Sequence, residues 1–388
     1  MSERSGMIAD GLWRRYKLGR DRLRAMKRQI LRARTAPELA RRHSAYSKAV
    51  ARRDWRTAQA AARDLARSAV AHHDRRVLQE MMHALERLDC YGDIAPVHRA
   101  WREALSDGPR KPWRGDDLAG KTLMIDFTER HEKGLGVALS GASLAAKAAW
   151  RAARTIVVVE PRLVPLFRRS LPGVEVRDTA TGDAEEIDFI ATRGDLIGDF
   201  LPKAAGDDPE FQPLAADREK TAVLRARYLA GSERPLIGLF WRSSHFGKDL
   251  PGLDDWARFI AGVDGDFVSL QYGDVTDDIA ALGADRVILD PTIDQMSDMD
   301  GFAAQVAALD AVVGISGTPI HLAGALGVPT LVLRDDWFRR QWSVMSDRVP
   351  WYPALRVVGK DGRPWRAVLE EARETLGTLL GAGRGGRS

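Results

Sequence analysis

The chain has a single cysteine, Cys90, among 388 residues. That excludes an internal disulfide and a cysteine-based metal cluster, and it fits a reducing compartment. Long apolar runs are missing too, since none approaches the ~18 residues of a membrane span. The start, Met1-Ser-Glu-Arg-Ser-Gly, has neither the apolar core nor the cleavage pattern of a secretion signal. No Gly-x-Gly-x-x-Gly turn follows a first strand with an acidic residue ~20 positions later. Gly134-Leu-Gly136 continues to Gly141 at the wrong offset, which argues against a dinucleotide oxidoreductase.

What is present is a soluble globular composition, 45% hydrophobic and 29% charged, with length for two or three domains. The charge is uneven. Residues 1–115 hold 27 Lys/Arg against 13 Asp/Glu, a net of +14, and the remainder is −9, which together give +5. A basic module therefore precedes a mildly acidic body, and basic modules meet phosphates, anionic lipids or acidic proteins. Ten basic residues lie between Arg14 and Arg34, with Leu12, Tyr16, Leu23, Met26 and Ile30 at roughly helical spacing. Residues 12–34 read either as a solvated arm or as a basic amphipathic helix on an anionic membrane surface. A nucleic-acid arm ranks below both: the arm has no zinc-finger spacing or heptad run, and the chain has no RNA-binding strand signature. His72-His73 sits on a polar helical stretch and reads as a solvated face.

Residues 36–106 read as helices rich in Ala, Leu and Arg. Trp55 and Tyr91 are 36 positions apart, near the ~34-residue tetratricopeptide period, and each begins a similar piece with spaced alanines. Two degenerate repeats are fewer than the ~3 a free solenoid needs, so the block must lean on the domain after it. Ser106 to Gly115 is a breaker-rich linker. Beyond it strands and helices alternate. Strands are expected at 121–127, 154–160, 174–176 and 187–190, and helices at 140–153 and 163–171. That makes one doubly wound, Rossmann-like domain over 116–230. A second, over 231–360, has expected strands at 236–241, 266–270, 287–290, 311–313 and 330–333. Its expected helices are 254–261, 302–309 and one beginning near Pro319. A final helix, Trp365 to Leu380, is expected to pack back across the first domain, with a disordered tail from Gly381 to Ser388; the two make up residues 361–388.

Gly314-Ile-Ser-Gly-Thr-Pro-Ile-His321-Leu-Ala-Gly-Ala-Leu-Gly-Val-Pro329 is the most informative stretch. It reads as strand, Gly/Ser/Thr turn and helix, with Pro319 in the first helical turn. Free helical N–H groups, close approach at Gly317, the hydroxyls of Ser316 and Thr318, and His321 make an anion site suited to a diphosphate. A crossover helix that binds nothing reads equally well from spacing alone. The segment Trp241-Arg242-Ser243-Ser244-His245-Phe-Gly-Lys248 leaves the carboxyl edge of the same sheet, where Arg242 and Lys248 would add positive charge.

These residues resemble the C-terminal half of glycosyltransferases with two Rossmann-like domains (GT-B). The nearest are the bacterial heptosyltransferase-like transferases of family nine, in the subgroup with N-terminal tetratricopeptide repeats. His321 to Pro329 carries the resemblance, with Phe267-Val-Ser-Leu-Gln-Tyr-Gly273, Asp300-Gly-Phe-Ala-Ala304, Ala308-Leu-Asp310, Trp342, Pro350-Trp-Tyr-Pro353 and Glu160 to Val174 in support. It spans about residues 118–358. The resemblance implies a nucleotide-sugar donor on the second domain, with Lys248 near its phosphates and His321 and the turn before it, Ser316, Gly317 and Thr318, as the diphosphate loop; Arg242, Ser243 and Ser244 join this donor site through their place on the same strand edge. It implies an acceptor on the first domain, beside the glycine turn at Gly134 and Gly136. No metal and no cofactor are implied, and the place is the cytoplasm or the inner face of the membrane. The sequence departs from the pattern where Val137 stands at the position of the family's usual aspartate, the general base. The diphosphate loop also reads Ser316-Gly317 where the family often has Asp-Thr.

A base is worth ~10²–10⁴ in rate to an inverting transfer. Glu129, Glu132, His131 and Asp126 lie at the same strand edge and are candidates, Glu129 first; a retaining mechanism would not need that base there. The leading expectation is transfer of a sugar from a nucleotide diphosphate to a glycan, lipid-linked or protein acceptor. The alternatives are a catalytically degenerate scaffold and, more weakly, an epimerase or phosphorylase on the same architecture.

Overall fold

In the computed structural model, the described residues are 37–105, 111–132, 134–179, 187–201, 211, 213–243, 249–283, 285–336 and 342–385. The basic arm, Ser106 to Arg110, Ser244 and Lys248 lie outside them.

Aspartates set the first helices. Helix α1 (Pro37–Ala51) is followed by α2 (Trp55–His72), whose first turn is capped by the Asp54 carboxylate accepting from the Thr57 N–H. Helix α3 (Arg75–Arg87) repeats the device, with Asp74 accepting from the N–H groups of Arg76 and Val77. A cap of this kind satisfies N–H groups with no intrahelical partner and contributes ~1 kcal/mol. The buried face of α2 carries Ala58, Ala62, Leu65, Ala66 and Ala69 at helical spacing. Its small residues let α1 and α3 pack closely on either side. Helix α4 (Ile94–Glu103) completes the block against α3.

Next comes a parallel sheet of β1 (Thr122–Asp126), β2 (Arg154–Val158), β3 (Glu175–Arg177) and β4 (Phe189–Ala191). Its order among the described residues is β3-β2-β1-β4. The middle residues of β1, Leu123, Met124 and Ile125, are all buried, the continuous apolar run of a strand covered on both faces. Its helices are α5 (Leu135–Ala149), α6 (Val164–Ser170) and α7 (Arg193–Phe200). Linker residues dock on this sheet: the N–H of Trp113 donates to the Ile190 carbonyl (2.9 Å), and the Lys111 carbonyl accepts from Ile190 (2.7 Å).

After α8 (Arg218–Leu229) comes the second sheet: β5 (Leu236–Phe240), β6 (Asp266–Ser269), β7 (Val287–Ile288), β8 (Ala311–Ile315), β9 (Thr330–Arg334) and β10 (Leu355–Gly359). All its pairings are parallel, in the order β10-β9-β8-β5-β6-β7. Counted from β5, that is the 3-2-1-4-5-6 arrangement of doubly wound nucleotide folds. Its helices are α9 (Leu253–Ala261), α10 (Thr276–Leu282), α11 (Met299–Ala307), α12 (Thr318–Ala325) and α13 (Trp365–Gly385).

Several expectations need correction. Helix α5 starts at Leu135, not Ser140, because apolar helix formers run back to Gly134; Gly136 thus lies in a helical turn and not in a loop. Helix α13 packs on α9 and on β8, β9 and β10 of its own sheet, since its apolar stripe (Val368, Leu369, Ala372, Leu376) is buried there, and it runs on to Gly385. No helix among the described residues is long and apolar enough to cross a membrane.

The two α/β units touch through α5 against α12 and α6 against α11. Arg169 on α6 makes a two-pronged ion pair with Asp300 on α11 (2.6 and 2.9 Å). The helical block also reaches the second unit. The Val344 N–H donates to the Arg87 carbonyl (3.0 Å), the Ser343 hydroxyl donates to Asp89 (2.9 Å), and Tyr91 meets Trp351 edge-on.

Candidate functional site

A parallel sheet binds ligands outside the carboxyl ends of its strands, at the point where strand order reverses. In the second sheet that point lies between β5 and β8, which pair side by side with Phe240 opposite Gly314. The segments leaving them, from Trp241 and from Ser316, carry the donor-site candidates. Ser243, Ser316, Gly317 and Thr318 are half-buried there. No side chain caps α12 at Gly317, and Pro319 occupies its first turn. Gly317 is extended, so it needs no special backbone freedom. One reason is packing: a β-carbon there would stand 2.3 Å from Cε1 of Phe240. Packing against Phe240 is thus a reason for glycine here besides the expected close approach of a ligand.

Arg242 is half-engaged elsewhere. Its backbone N–H donates to Gln271 (2.9 Å), and its guanidinium pairs with Asp278 (2.8 Å) and donates to the Asp274 carbonyl (2.6 Å). Asp278 also accepts from the Trp241 indole (2.8 Å). The charge of Arg242 is thereby shared with α10. Ser244 and Lys248, the other donor-side candidates of this segment, lie outside the described residues.

His321, one turn into α12, is 6% exposed. Its ring stacks on Trp342 with centroids 4.9 Å apart, and Nδ1 lies 3.0 Å from the Tyr352 hydroxyl. The opposite flank of the ring faces Gly136 on α5 of the first unit. The imidazole is therefore packed between the two units, with Trp342, Tyr352 and Gly136 around it.

In the first sheet, order reverses between β1 and β4. The segment after β1 holds Glu129, His131 and Glu132; the segment after β4 opens α7 at Thr192 and Arg193. Glu129 is half-buried and its carboxylate accepts from the His131 N–H (3.0 Å), closing a short turn. His131 lies edge-on to Trp101 of α4 (5.8 Å). Gly134 has φ +134°, a conformation that suits glycine and starts α5. Val137, at the position of the missing aspartate, is buried on α5.

Glu132 is tied down. Its carboxylate lies 3.2 Å from Nε2 of His98 and accepts from the Gly194 N–H (3.3 Å). Nδ1 of His98 lies 2.9 Å from Asp195, whose other oxygen is paired with Arg102. His98 and Asp195 are 1% and 3% exposed. Burial works to lower the His98 pKa, but Glu132 and Asp195 outweigh it and push it up to about 10. Burial likewise opposes ionisation of Glu132, and the His98 charge overcomes it, holding the carboxyl well below the usual carboxylate range. The imidazolium thus joins the helical block, the loop after β1 and the start of α7. Beside it, Arg193 pairs with Glu86 of α3 (2.5 Å) and lies over the Trp351 ring (4.9 Å).

Sequence reasoning missed His98, Asp195, Arg193, Glu86 and Trp101. One local signal existed: Thr192 and Asp195 form a capping box, and His98 and Arg102 share the otherwise apolar face of α4.

The fold and these clusters define an α/β protein of two parallel-sheet units with an N-terminal helical block. No protein-family model matches the chain. Among curated proteins it is similar to Protein FlbA of Caulobacter vibrioides, 32% identical over 286 residues. That match covers 65% of this chain and 46% of FlbA, so the chain spans about half the length of the relative it matches. Among solved structures it is similar to a glycosyl transferase family 9 protein of Veillonella parvula, with TM-score 0.48, 12% identity, 68% of this chain and 98% of that one. It is also similar to the E. coli ADP-heptose lps heptosyltransferase II, with TM-score 0.45, 15% identity, 67% of this chain and 98% of that one.

Proposed function

We propose that the chain is a glycosyltransferase that moves a sugar from a nucleotide diphosphate to a glycan, lipid-linked or protein acceptor. The observation that carries this reading is the meeting of the segments after β5 and β8 where the order of the second sheet reverses, beside the uncapped start of α12. Oriented N–H groups there suit a pyrophosphate, and the chain leaves β5 at the same edge through Trp241, seven positions before Lys248 in the sequence. The reversal point of the first sheet supplies the acceptor side. In the transfer, the acceptor oxygen bonds to the anomeric carbon as the bond from that carbon to the phosphate oxygen breaks. The nucleoside diphosphate leaves with the electron pair, and the acceptor's proton passes to a base. Glu132 is a weak base while His98 holds it ionised, which favours Glu129 or His131. The tetratricopeptide-like reading of the helical block, domain limits at 116–230 and 231–360, and membrane contact through residues 12–34 belong to the same proposal.

The test is transfer and donor hydrolysis over a panel of sugar nucleotides, comparing wild type with Lys248→Ala and His321→Ala. Full activity in both variants removes the proposed donor site. A second reading, a non-catalytic scaffold, is favoured by Val137 and by the engagement of Glu132 with His98. It requires that no sugar nucleotide be consumed at any acceptor concentration.

A further inference from the structure

A groove of about 280 Å³ opens to solvent between the first two helices of the helical block. Glu38, Arg41, Arg42 and Ala45 of α1 line it, with Ala61 and Asp64 of α2. We propose that this groove, with the cationic stripe of α1 that runs from it, holds an acidic segment of a polypeptide. The reading deepens the transferase proposal and rests on it only in making that polypeptide the acceptor.

Three observations point to this partner. First, the groove is open because alanines stand where longer side chains would fill it. Ala45 is exposed and Ala61 half-buried, and the space between them admits a side chain from outside. Second, the charge left over is positive. Both acids of the groove are already engaged: Glu38 accepts twice from Arg42 (2.8 and 3.1 Å), and Asp64 pairs with Arg42 and with Arg67 (3.5 Å). Arg41, Lys48 and Arg52 are exposed, and no carboxylate among the described residues forms an ion pair with them. Asp54 acts on Arg52 only at longer range, since its carboxylate caps α2. Positions 41, 45, 48 and 52 fall on one stripe of α1, and the Arg52 N–H still donates to the Lys48 carbonyl (3.1 Å), so the helical phase reaches the last of them. At ~1.5 Å per residue the three cations lie ~10 and ~6 Å apart. An extended chain advances ~3.3 Å per residue, so carboxylates at about its first, fourth and sixth positions meet all three. Third, the surface does not suit other anionic partners. The exposed large apolar side chains among the described residues are Trp150, Val223, Leu289 and Met296, none of them on α1 or α2. A bilayer therefore finds no apolar anchor here, and a single-stranded nucleic acid finds no exposed ring to stack on.

The test is fluorescence anisotropy on the full chain at low salt. The probe is a fluorescein-labelled peptide, Glu-Ala-Ala-Glu-Ala-Glu, beside the same peptide with glutamine for every glutamate. The acidic peptide is expected to bind saturably. The glutamine peptide should bind at least about tenfold more weakly, and so should the acidic peptide to a triple variant, Arg41→Gln with Lys48→Gln and Arg52→Gln, because three exposed charge pairs go together. Ala45→Leu fills the groove without changing a charge and should weaken binding at least about threefold. No saturable binding of the acidic peptide, equal binding of the glutamine peptide, or unchanged affinity in either variant overturns the proposal. If the triple variant loses its helical circular dichroism, Arg41→Gln alone is compared, with about a twofold drop expected and no drop overturning the proposal. Phosphatidylglycerol vesicles and an oligothymidylate are run alongside. Binding of either one that depends on the three cations, without peptide binding, assigns the surface to that partner and overturns the proposal. Sugar-nucleotide turnover is followed on the same preparations. Turnover without peptide binding defeats the peptide surface and leaves the transferase reading standing; peptide binding without turnover does the reverse.

Discussion

Gly136 of the first α/β unit lies against His321 of the second: a β-carbon at Gly136 would stand 2.9 Å from Cδ2 and 3.2 Å from Nε2 of the imidazole. The ring cannot give way easily, because Trp342 stacks on it and the Tyr352 hydroxyl holds Nδ1. Two glycine- and histidine-bearing motifs, 185 positions apart (321 − 136), therefore meet in one interdomain contact.

Gly136→Ala tests this contact. Alanine within a helix is intrinsically better than glycine by ~1 kcal/mol. Overpacking costs ~1–3 kcal/mol, so a net loss of about 1 kcal/mol is expected by chemical denaturation. In a His321→Ala background the same change should become neutral or stabilising. A loss of equal size in both backgrounds would show that the two residues do not meet.

The His98 cluster makes a pH-dependent prediction. His98→Gln leaves Glu132 and Asp195 without their shared cation and should destabilise by ~3–5 kcal/mol. The His98 pKa is raised in the fold, so its contribution is fully present below its ordinary 6.5 and is lost as pH rises through about 10. The Glu132 pKa is lowered, so its contribution is present above its ordinary 4.5 and is lost as pH falls through the folded value. The stability gap between wild type and His98→Gln should be widest between about 4.5 and 6.5 and shrink toward pH 10. A gap independent of pH would contradict the ion-pair account.

Much of the architecture could be read from the amino acids. Buried parallel strands are short continuous apolar runs, and Leu123-Met-Ile125 or Val312-Val313 cannot be mistaken for amphipathic helix. The Ser316 to His321 turn was legible for the same local reason, Gly/Ser/Thr followed by proline in a first helical turn. The packing role of Gly317 was not legible, because its neighbour is Phe240, far off in sequence. The Glu132–His98–Asp195 cluster left almost no local trace, since His98 and Asp195 are 97 positions apart and only the docking of α4 on α7 joins them.

Arg193 and Glu86 form a buried pair, each side chain 6% exposed. Glu86→Ala should destabilise by ~3–5 kcal/mol, because it strands the guanidinium. The double change Glu86→Leu with Arg193→Met should cost less than either single truncation, since no charge is left unpaired. A double-mutant cycle by thermal melting decides this; simple additivity would show that the pair is not coupled.

Gly317→Ala would drive a methyl into the buried Phe240 ring, with an expected loss of ~1–3 kcal/mol that Phe240→Leu relieves. Should Gly317→Ala spare stability and abolish nucleotide binding, the glycine would serve the ligand after all.

The donor site is the centre of the account, and crystals soaked with ADP, UDP and GDP examine it most directly. Diphosphate density is expected against the backbone of residues 316–318, within reach of the Lys248 ammonium. Nucleotide bound anywhere else on the chain, or no density at millimolar concentration of all three, would contradict it.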